Sequence, residues 1–460
     1  MAVSISRQIA FDVLRRVEAE DAYASDLLHA EFDAGENRAL KPADAALATE
    51  LVMGVVRWRR LLDFLLSRDL KKTVERLDLP VAIALRMSAY QLRFLAKIPA
   101  RAAVNESVEL VKRARKSSAA SLVNAVLRKI AADAKTPAEK FLPAGFGTVE
   151  RLAILRSHPT WMVERWLARL GEPDTIALLE ANNRPARLTC AIHAPDARAA
   201  IIRALESAGM RVEDGTLLKS AFAVSGGSPA RSEPFRSGQI SIQDEASQAI
   251  SLLLGVQAGD RVLDLCAAPG GKTAALARAA GPQGKVIAAD LHAHRVRAME
   301  AQFKRLGLRN ISLVELNATR AMELPGEFDR ILVDAPCSGT GTLARHPEIR
   351  WRLRPENLAD SQRLQSQILA NAFTKLAPGG RLVYSTCSIE PEENEAVVKD
   401  ALHNSSGIRA IPSTEAAGLL APLLAPGVKA PDLFSSDGFF RTSPAVHRTD
   451  GFFAALLEKS

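Results

Sequence analysis

The sequence predicts an α/β protein with an all-helical front, a small α/β linker unit and a C-terminal doubly wound sheet of the Rossmann-like kind. Three observations predict it. Apolar residues recur at helical spacing without strand signals from residue 4 to about 132. Strand and helix patterns mix from about 150 to 240. From Gln239 onward β-type runs alternate with helical spans of the length a parallel crossover needs.

In the front segment Ile5, Ile9, Val13 and Val17 mark one buried helical face. "ALATELVMGVVRWRRLLDFLL" and "VAIALRMSAYQLRFLAKI" continue the pattern, punctuated by Pro80 and Pro99. "KRARKSS", Lys112 to Ser118, is a basic cluster that suits a solvated helix end. "KTPAEKFLPAGFG", Lys135 to Gly147, has a loop composition and separates a first domain, 1–140, from the next. In the second domain, 150–240, "SHPTWMVERWLARL" reads as helix, "RLTCAIHA" as strand, "DARAAIIRALESAG" as a helix closed by Gly209, and "MRVED" as strand, with "GGSPARSEPF" as loop. The third domain, 241–460, runs through "RVLDLC", the helix "KTAALARAA", "KVIAAD", the helix "AHRVRAMEAQFKRLG", "ISLVEL", "FDRILVDA", a helix around "SQRLQSQILANAFTKL", the turn "PGG" and "RLVYSTC". Ligands of such sheets bind beyond the carboxyl ends of the strands.

Composition excludes several classes. The chain has 460 residues, more than one core organises, and 47% of them are hydrophobic, too many for a disordered protein. Four cysteines without a C-x-x-C pair fit neither a disulfide framework nor a zinc ribbon, so reduced thiols and a cytoplasmic location are expected. Acids and arginines occupy the start, where a signal peptide would need an apolar stretch, and no uncharged apolar run reaches about 18 residues. No membrane, no metal and a monomer are expected. The net charge is +8, and residues 1–150 carry 24 Lys and Arg against 19 Asp and Glu. That excess suits a nucleic-acid partner but does not by itself demand one.

Three motifs fall at predicted strand ends. "DLCAAPGGKT", Asp264 to Thr273, puts Gly270 and Gly271 at the start of a helix, where backbone can approach a ligand closely. A P-loop would need Gly where Cys266 stands, and a dinucleotide fingerprint would need G-x-G-x-x-G. An S-adenosylmethionine loop has no diphosphate to cradle and tolerates this grouping, although a plain strand–helix turn is also compatible with it. Asp290 ends the next strand, 20 residues after Gly270, where an acid grips ribose hydroxyls. Asn317 ends the third strand and suits either an adenine edge or a turn.

The other two motifs are "VDAPCSGTGT", Val333 to Thr342, and "YSTCSIEPEENE", Tyr384 to Glu395. Carbon-5 of cytosine is too weak a nucleophile to take a methyl group unaided. A thiolate adding to carbon-6 turns the ring into an enamine whose carbon-5 attacks. A second group must then help release the product, and an acid should bond the N3/N4 edge. Cys387, Cys337 and Asp334 supply these parts. The attacking thiol needs an electropositive surrounding; the acidic "EEN" after Cys387 offers none, and Arg345, His346 and Arg350 are the basic candidates. Cys266 and Cys190 read as small buried hydrophobes. His292 and His294 read as surface helix residues, since no third ligand has metal-site spacing.

With "DLCAAPGGKT" upstream, the two cysteine motifs resemble those of the RNA cytosine-5 methyltransferases of the Sun/Fmu and NSUN superfamily. "GQISIQDEASQ" and "RHPEIRW" are similar to further family stretches, and "ELVMGVVRWRRLLD", "LRMSAYQLRFL", "IPARAAVNESVELVK" and "LVNAVLRK" resemble the NusB-like RNA-binding domain of its bacterial small-subunit ribosomal RNA branch. The likeness covers nearly the whole chain. It implies a NusB-like helical domain, a small α/β domain and a class I S-adenosyl-L-methionine-dependent methyltransferase domain. It implies Cys387 as nucleophile, Cys337 as the thiol that assists release, and Asp334 lining both cofactor and base. Cofactor contacts would come from Cys266, Ala267, Ala268, Pro269, Gly270, Gly271, Lys272, Asp290 and Asn317. The family usually has Asp where Asn317 stands; an amide can still bond adenine. The implied substrate is one cytosine of 16S ribosomal RNA. Two other classes stay open: an RNA-binding scaffold or antitermination factor with a silent enzyme domain, and a nicotinamide oxidoreductase on the same sheet, which the absent G-x-G-x-x-G disfavours.

Overall fold

The computed structural model describes residues 3–34 and 40–460, and the chain divides into two compact units. The first comprises residues 1–184 and 343–352, the second 185–342 and 353–460.

The first unit is helical. Helices Ile5–Ala19, Pro42–Arg57, Leu79–Phe94, Ala100–Arg113 and Ala120–Ala132 pack around one core. Ile9, Val13 and Val17 are buried as their spacing requires, with Ala10, Phe11 and Leu14 beside them, but Ile5 is 46% exposed because it sits at the helix start, outside that core. "ALATELVMGVVRWRRLLDFLL" forms two helices, since Trp58 leaves helical geometry between Arg57 and Arg59. Pro80 lies in the first turn of Leu79–Phe94, where its missing N–H costs nothing, and Pro99 caps Ala100–Arg113. Within helix Thr160–Asn182, Gly171 leaves helical geometry (φ 76°) just before Pro173, so the span is two helices end to end.

The second unit holds two sheets. Strands β1 (Leu188–Ile192), β2 (Arg211–Asp214), β3 (Ala221–Ser225) and β4 (Ile240–Ile242) form an antiparallel sheet in the order β2-β3-β1-β4. Sequence reading located β1 and β2 and passed over β3, which lies between Ser220 and Gly226, and β4, which has only three residues. The larger sheet contains β5 (Arg261–Leu265), β6 (Lys285–Asp290), β7 (Ile311–Glu315), β8 (Phe328–Asp334), β9 (Leu376–Thr386), β10 (Ile408–Ala410), β11 (Phe440–Arg441) and β12 (Phe453–Lys459). Its path is β10-β12-β9-β8-β5-β6-β7, with β11 paired to β12. Strands β5 to β9 are parallel, as alternation predicts. β12 adds antiparallel to β9, and β10 antiparallel to β12. "PGG" is not a separate turn; it lies inside β9. Apolar clusters cover both faces, so the parallel strands are buried on two sides. Chain order reverses at β5, which neighbours both β6 and β8, making the carboxyl ends of β5 and β8 the topological switch point.

Candidate active site at the switch point

The loop after β5 is shaped by its glycine. Gly270 has φ 96°, and a Cβ there would lie 2.9 Å from the Phe303 ring, so the position admits no larger residue. Helix Gly271–Ala280 starts immediately after it. Ala267 and Gly270 are buried, Cys266, Ala268 and Gly271 are partly exposed, and Pro269 is exposed. The Asp290 carboxylate is buried and accepts the N–H of Ala268 at 3.3 Å and of His292 at 3.1 Å. It ties the ends of β5 and β6 together through backbone.

Two cavities meet at Cys266. One is largely apolar and lined by Cys266, Ala289, Leu291, Leu316, Asn317 and Pro336. The Asn317 Oδ1 accepts the Thr319 N–H at 3.0 Å and the Thr319 hydroxyl at 2.7 Å. Asn317 therefore caps its own turn, and it also lines the cavity. The other cavity is more polar, lined by the loop itself with Gln243, Ser247, Asp264, Lys272, Gln302 and Asp334. Burial of Cys266 pushes its thiol well above the ordinary range, and Asp334 and Asp290 add to the shift. Cys190 is fully buried in the small sheet, and burial pushes its thiol up to about 12. Neither thiol carries a nucleophile's signature.

Lys272, with only 11% of its side chain exposed, donates to Asp334 Oδ2 at 2.6 Å, and the Ser385 hydroxyl donates to Oδ1 at 2.8 Å. Burial opposes the Lys272 charge, but Asp334 outweighs it and the ammonium ends above its usual range; a thiolate at Cys387 would raise it further. Asp264 beneath it accepts from the Thr273 hydroxyl at 2.6 Å, and burial pushes its carboxyl up to about 7.

β8 and β9 are adjacent parallel strands, so the loops that follow them run side by side. The sulfurs of Cys337 and Cys387, 50 positions apart in sequence, lie 3.3 Å from each other. Both are free thiols; a disulfide would need about 2.05 Å. Gly341 packs into the same crossing: a Cβ there would meet the Gly451 carbonyl oxygen at 2.0 Å and that of Cys387 at 2.9 Å. The hydrogen bond to Cys387, together with burial, raises the Cys337 thiol well above its ordinary range.

Two of the three basic candidates, Arg350 and His346, have partners in the helical unit. The Arg350 guanidinium is fully buried in the helical unit and donates to the carbonyls of Ser157, Asn182 and Leu343 and to Asn183 Oδ1, at 2.9 to 3.2 Å. His346 stacks edge-on against Tyr23 at 5.2 Å. Within the second unit a thiolate at Cys387 would feel the charge of Lys272, which sequence reading treated only as part of the loop. Sequence reasoning also missed Glu393: it belongs to the "EEN" run, yet it is fully buried against Ser338 and Ser388. His292 and His294 are exposed at the start of helix Ala293–Arg305, their rings stacked at 5.5 Å. Among the described residues no three His, Cys, Asp or Glu gather as a metal site, and no helix is long and apolar enough to cross a membrane.

Known proteins match this architecture along its length. Residues 4–132 match the NusB family, 158–230 the ferredoxin-like domain of the RsmF/B-like methyltransferases, and 251–458 the family described as 16S rRNA methyltransferase RsmB/F. The probable ribosomal RNA small subunit methyltransferase B of Bacillus subtilis (strain 168) is 34% identical over 456 residues, covering 98% of each chain. The chain belongs to the RsmB/F methyltransferase family. The ribosomal RNA small subunit methyltransferase B of Citrobacter koseri is 33% identical over 420 residues, 90% of this chain and 91% of that one. Among solved structures, PH0851 superposes over the full length of both chains with a TM-score of 0.82 at 26% identity. NSun6 from Pyrococcus horikoshii, solved with SFG, shares the fold over 66% of this chain and 99% of its own, with a TM-score of 0.58 at 20% identity. A helical NusB domain, a ferredoxin-like domain and a Rossmann-like methyltransferase domain are thus the family's parts, and this chain has all three.

Proposed function

We propose that this protein methylates carbon-5 of one cytosine in 16S ribosomal RNA with S-adenosyl-L-methionine as donor, through a transient bond between Cys387 and carbon-6 of the base. The observation that carries the reading is the pair of thiols 3.3 Å apart at the ends of two adjacent strands. They lie in the same compact unit as a Lys272–Asp334 pair that lines a cavity. A lone nucleophile needs no such neighbour; a reaction that must both attack and release does.

The apolar cavity with Asn317 on its wall would take the purine, and the polar one beside Gly271 the amino-acid end of the donor. Cys266 to Lys272, Asp290 and Asn317 would hold the donor, Asp290 through the backbone it fixes. When bound, the donor supplies a methyl group on a sulfonium centre. The Cys387 thiolate adds to carbon-6, and carbon-5 becomes nucleophilic. Asp334, oriented by Lys272 and Ser385, accepts from the N4–H of the base. After transfer a base or water at the site takes the carbon-5 proton, the electrons of that bond restore the carbon-5–carbon-6 double bond, and the carbon-6–sulfur bond breaks with its pair left on Cys387. Cys337 beside it assists that release. The target must be unpaired or flipped out of its stack. The NusB and ferredoxin-like domains hold surrounding RNA through phosphate and shape. We place the protein in the cytoplasm, where its substrate is made, and as a monomer.

Both thiols, Lys272 and the glycine loop are intact, which weighs against a scaffold with a silent enzyme domain. Cys387→Ala should abolish methyl transfer while cofactor binding survives, and Cys337→Ala should accumulate a protein–RNA adduct stable in denaturing gels. Bisulfite sequencing of RNA from cells with and without the gene tests the product directly. An unchanged cytosine pattern would refute the reading.

A further inference from the structure

A single buried carboxylate joins the two thiol loops. Each cysteine is followed by serine, Cys337 by Ser338 and Cys387 by Ser388. The Ser338 N–H donates to Glu393 Oε1 at 2.7 Å, and the hydroxyls of both serines donate to Oε2. The two hydroxyl oxygens are 3.2 Å apart, and Gln365 Nε2 donates to Oε1 at 3.3 Å. Glu393 is fully buried, and no Lys, Arg or His forms an ion pair with it among the described residues.

A buried carboxylate without a cation is costly relative to a neutral or apolar side chain, so stability alone gives no reason for it here. Its geometry does. The peptide units that carry the two sulfurs are both anchored on one rigid group, one through a backbone N–H and both through the adjoining hydroxyls. Neighbouring contacts hold the loops without it: the Gly341 N–H donates to the Cys387 carbonyl at 3.0 Å, and the Ile389 N–H to Thr340 Oγ1 at 3.1 Å. The carboxylate therefore adds a constraint on spacing more than it adds cohesion. Its field also helps keep the Cys337 proton in place.

We propose that Glu393 is the positioning residue that fixes the separation of the Cys337 and Cys387 sulfurs. It would act through the two serines, without touching substrate. The consequence for methyl transfer rests on the methyltransferase reading above; the spacing itself does not.

The experiment uses the full-length protein. Diamide, which takes up two electrons and two protons as two thiols become a disulfide, is added without RNA or cofactor, and the Cys337–Cys387 bridge is followed by mass spectrometry. Glu393→Ala should slow bridge formation by about tenfold or more, because angstrom-scale misplacement is costly for a short-range reaction. Glu393→Gln, which can still accept the Ser338 N–H, should recover most of the rate. Ser338→Ala with Ser388→Ala, which keeps the carboxylate, should reproduce the loss, so the inference stays testable if Glu393→Ala misfolds. With RNA and donor added, Glu393→Ala should lower kcat with KM for RNA unchanged. A wild-type bridging rate in folded Glu393→Ala, or a loss of thermal stability with no change in bridging rate, overturns the inference. If wild-type protein bridges as expected but transfers no methyl group, the spacing role stands and the methyltransferase reading fails.

Discussion

Two buried cations in this chain look alike by burial and differ in what surrounds them. Arg350 in the helical unit is enclosed by carbonyls, its donors taken up by Ser157, Asn182, Asn183 and Leu343. Burial, then repulsion from Arg57, drives its proton affinity well down, with Glu348 pulling the other way. Lys272 in the catalytic unit has one ionic partner, Asp334, and both line a cavity. The first is a closed polar knot that joins segment 343–352 to the helices of its own unit. The second has an open side. Burial of charge is therefore no marker of function by itself; what sets Lys272 apart is that its pair lines a cavity.

The largest effect should come from the closed knot. Arg350→Met leaves the carbonyls of Ser157, Asn182 and Leu343 and Asn183 Oδ1 without their donor, and unfolding by denaturant should show a loss of about 3 kcal/mol or more. A loss under 1 kcal/mol would mean that water or rearrangement replaces the guanidinium, and the contrast with Lys272 would weaken. Lys272→Met should do the reverse. Asp334 keeps its bond from Ser385 and its partial exposure, so stability should change by about 1 kcal/mol at most, while methyl transfer should fall about a hundredfold. A variant with stability lost and rate kept would break the comparison.

Asp264 sharpens it through pH. Its folded carboxyl is pushed up to about 7 by burial, against about 3.9 unfolded. The folded state holds the proton longer, so this contribution is neutral at acid pH and becomes destabilising as pH rises from about 4 to about 7. The slope approaches about 1.4 kcal/mol per pH unit. Asp264→Asn should remove that slope, and thermal melts of both proteins across the range would detect it. The smallest effect belongs to an exposed pair, Lys116 with Asp78 at 3.1 Å. Lys116→Ala should cost about 0.5 kcal/mol or less, and salt should erase the difference.

Much of the catalytic unit was legible in sequence because its strands are short apolar runs closed by polar residues. "KVIAAD" is β6 residue for residue, and "FDRILVDA" contains β8. β12 was not legible: "FAALLEK" could equally continue a helix, and only pairing with β9 makes it a strand. Cys387, Cys337 and Asp334 stood out by residue type at strand ends. Glu393 did not, because an acidic run beyond a turn ordinarily faces solvent, and its burial follows from bonds to Ser388, five residues before it, and to Ser338, 55 residues before it. Arg350 was not legible for the same reason: its motif sits between the two cysteine motifs in sequence, while the helical-unit residues it bonds, Ser157, Asn182 and Asn183, lie 167 to 193 residues earlier.

Periodicity, strand-end chemistry and the glycine loop pointed to a helical front before a doubly wound sheet and to two candidate thiols, since those properties are written in local residue type. Tertiary structure alone decided that two sulfurs meet at 3.3 Å, that one carboxylate anchors both of their loops, and that an arginine from the catalytic stretch closes the helical unit instead. The physical reason is that distance and burial are properties of pairs. No residue carries them until the sheet has set β8 beside β9.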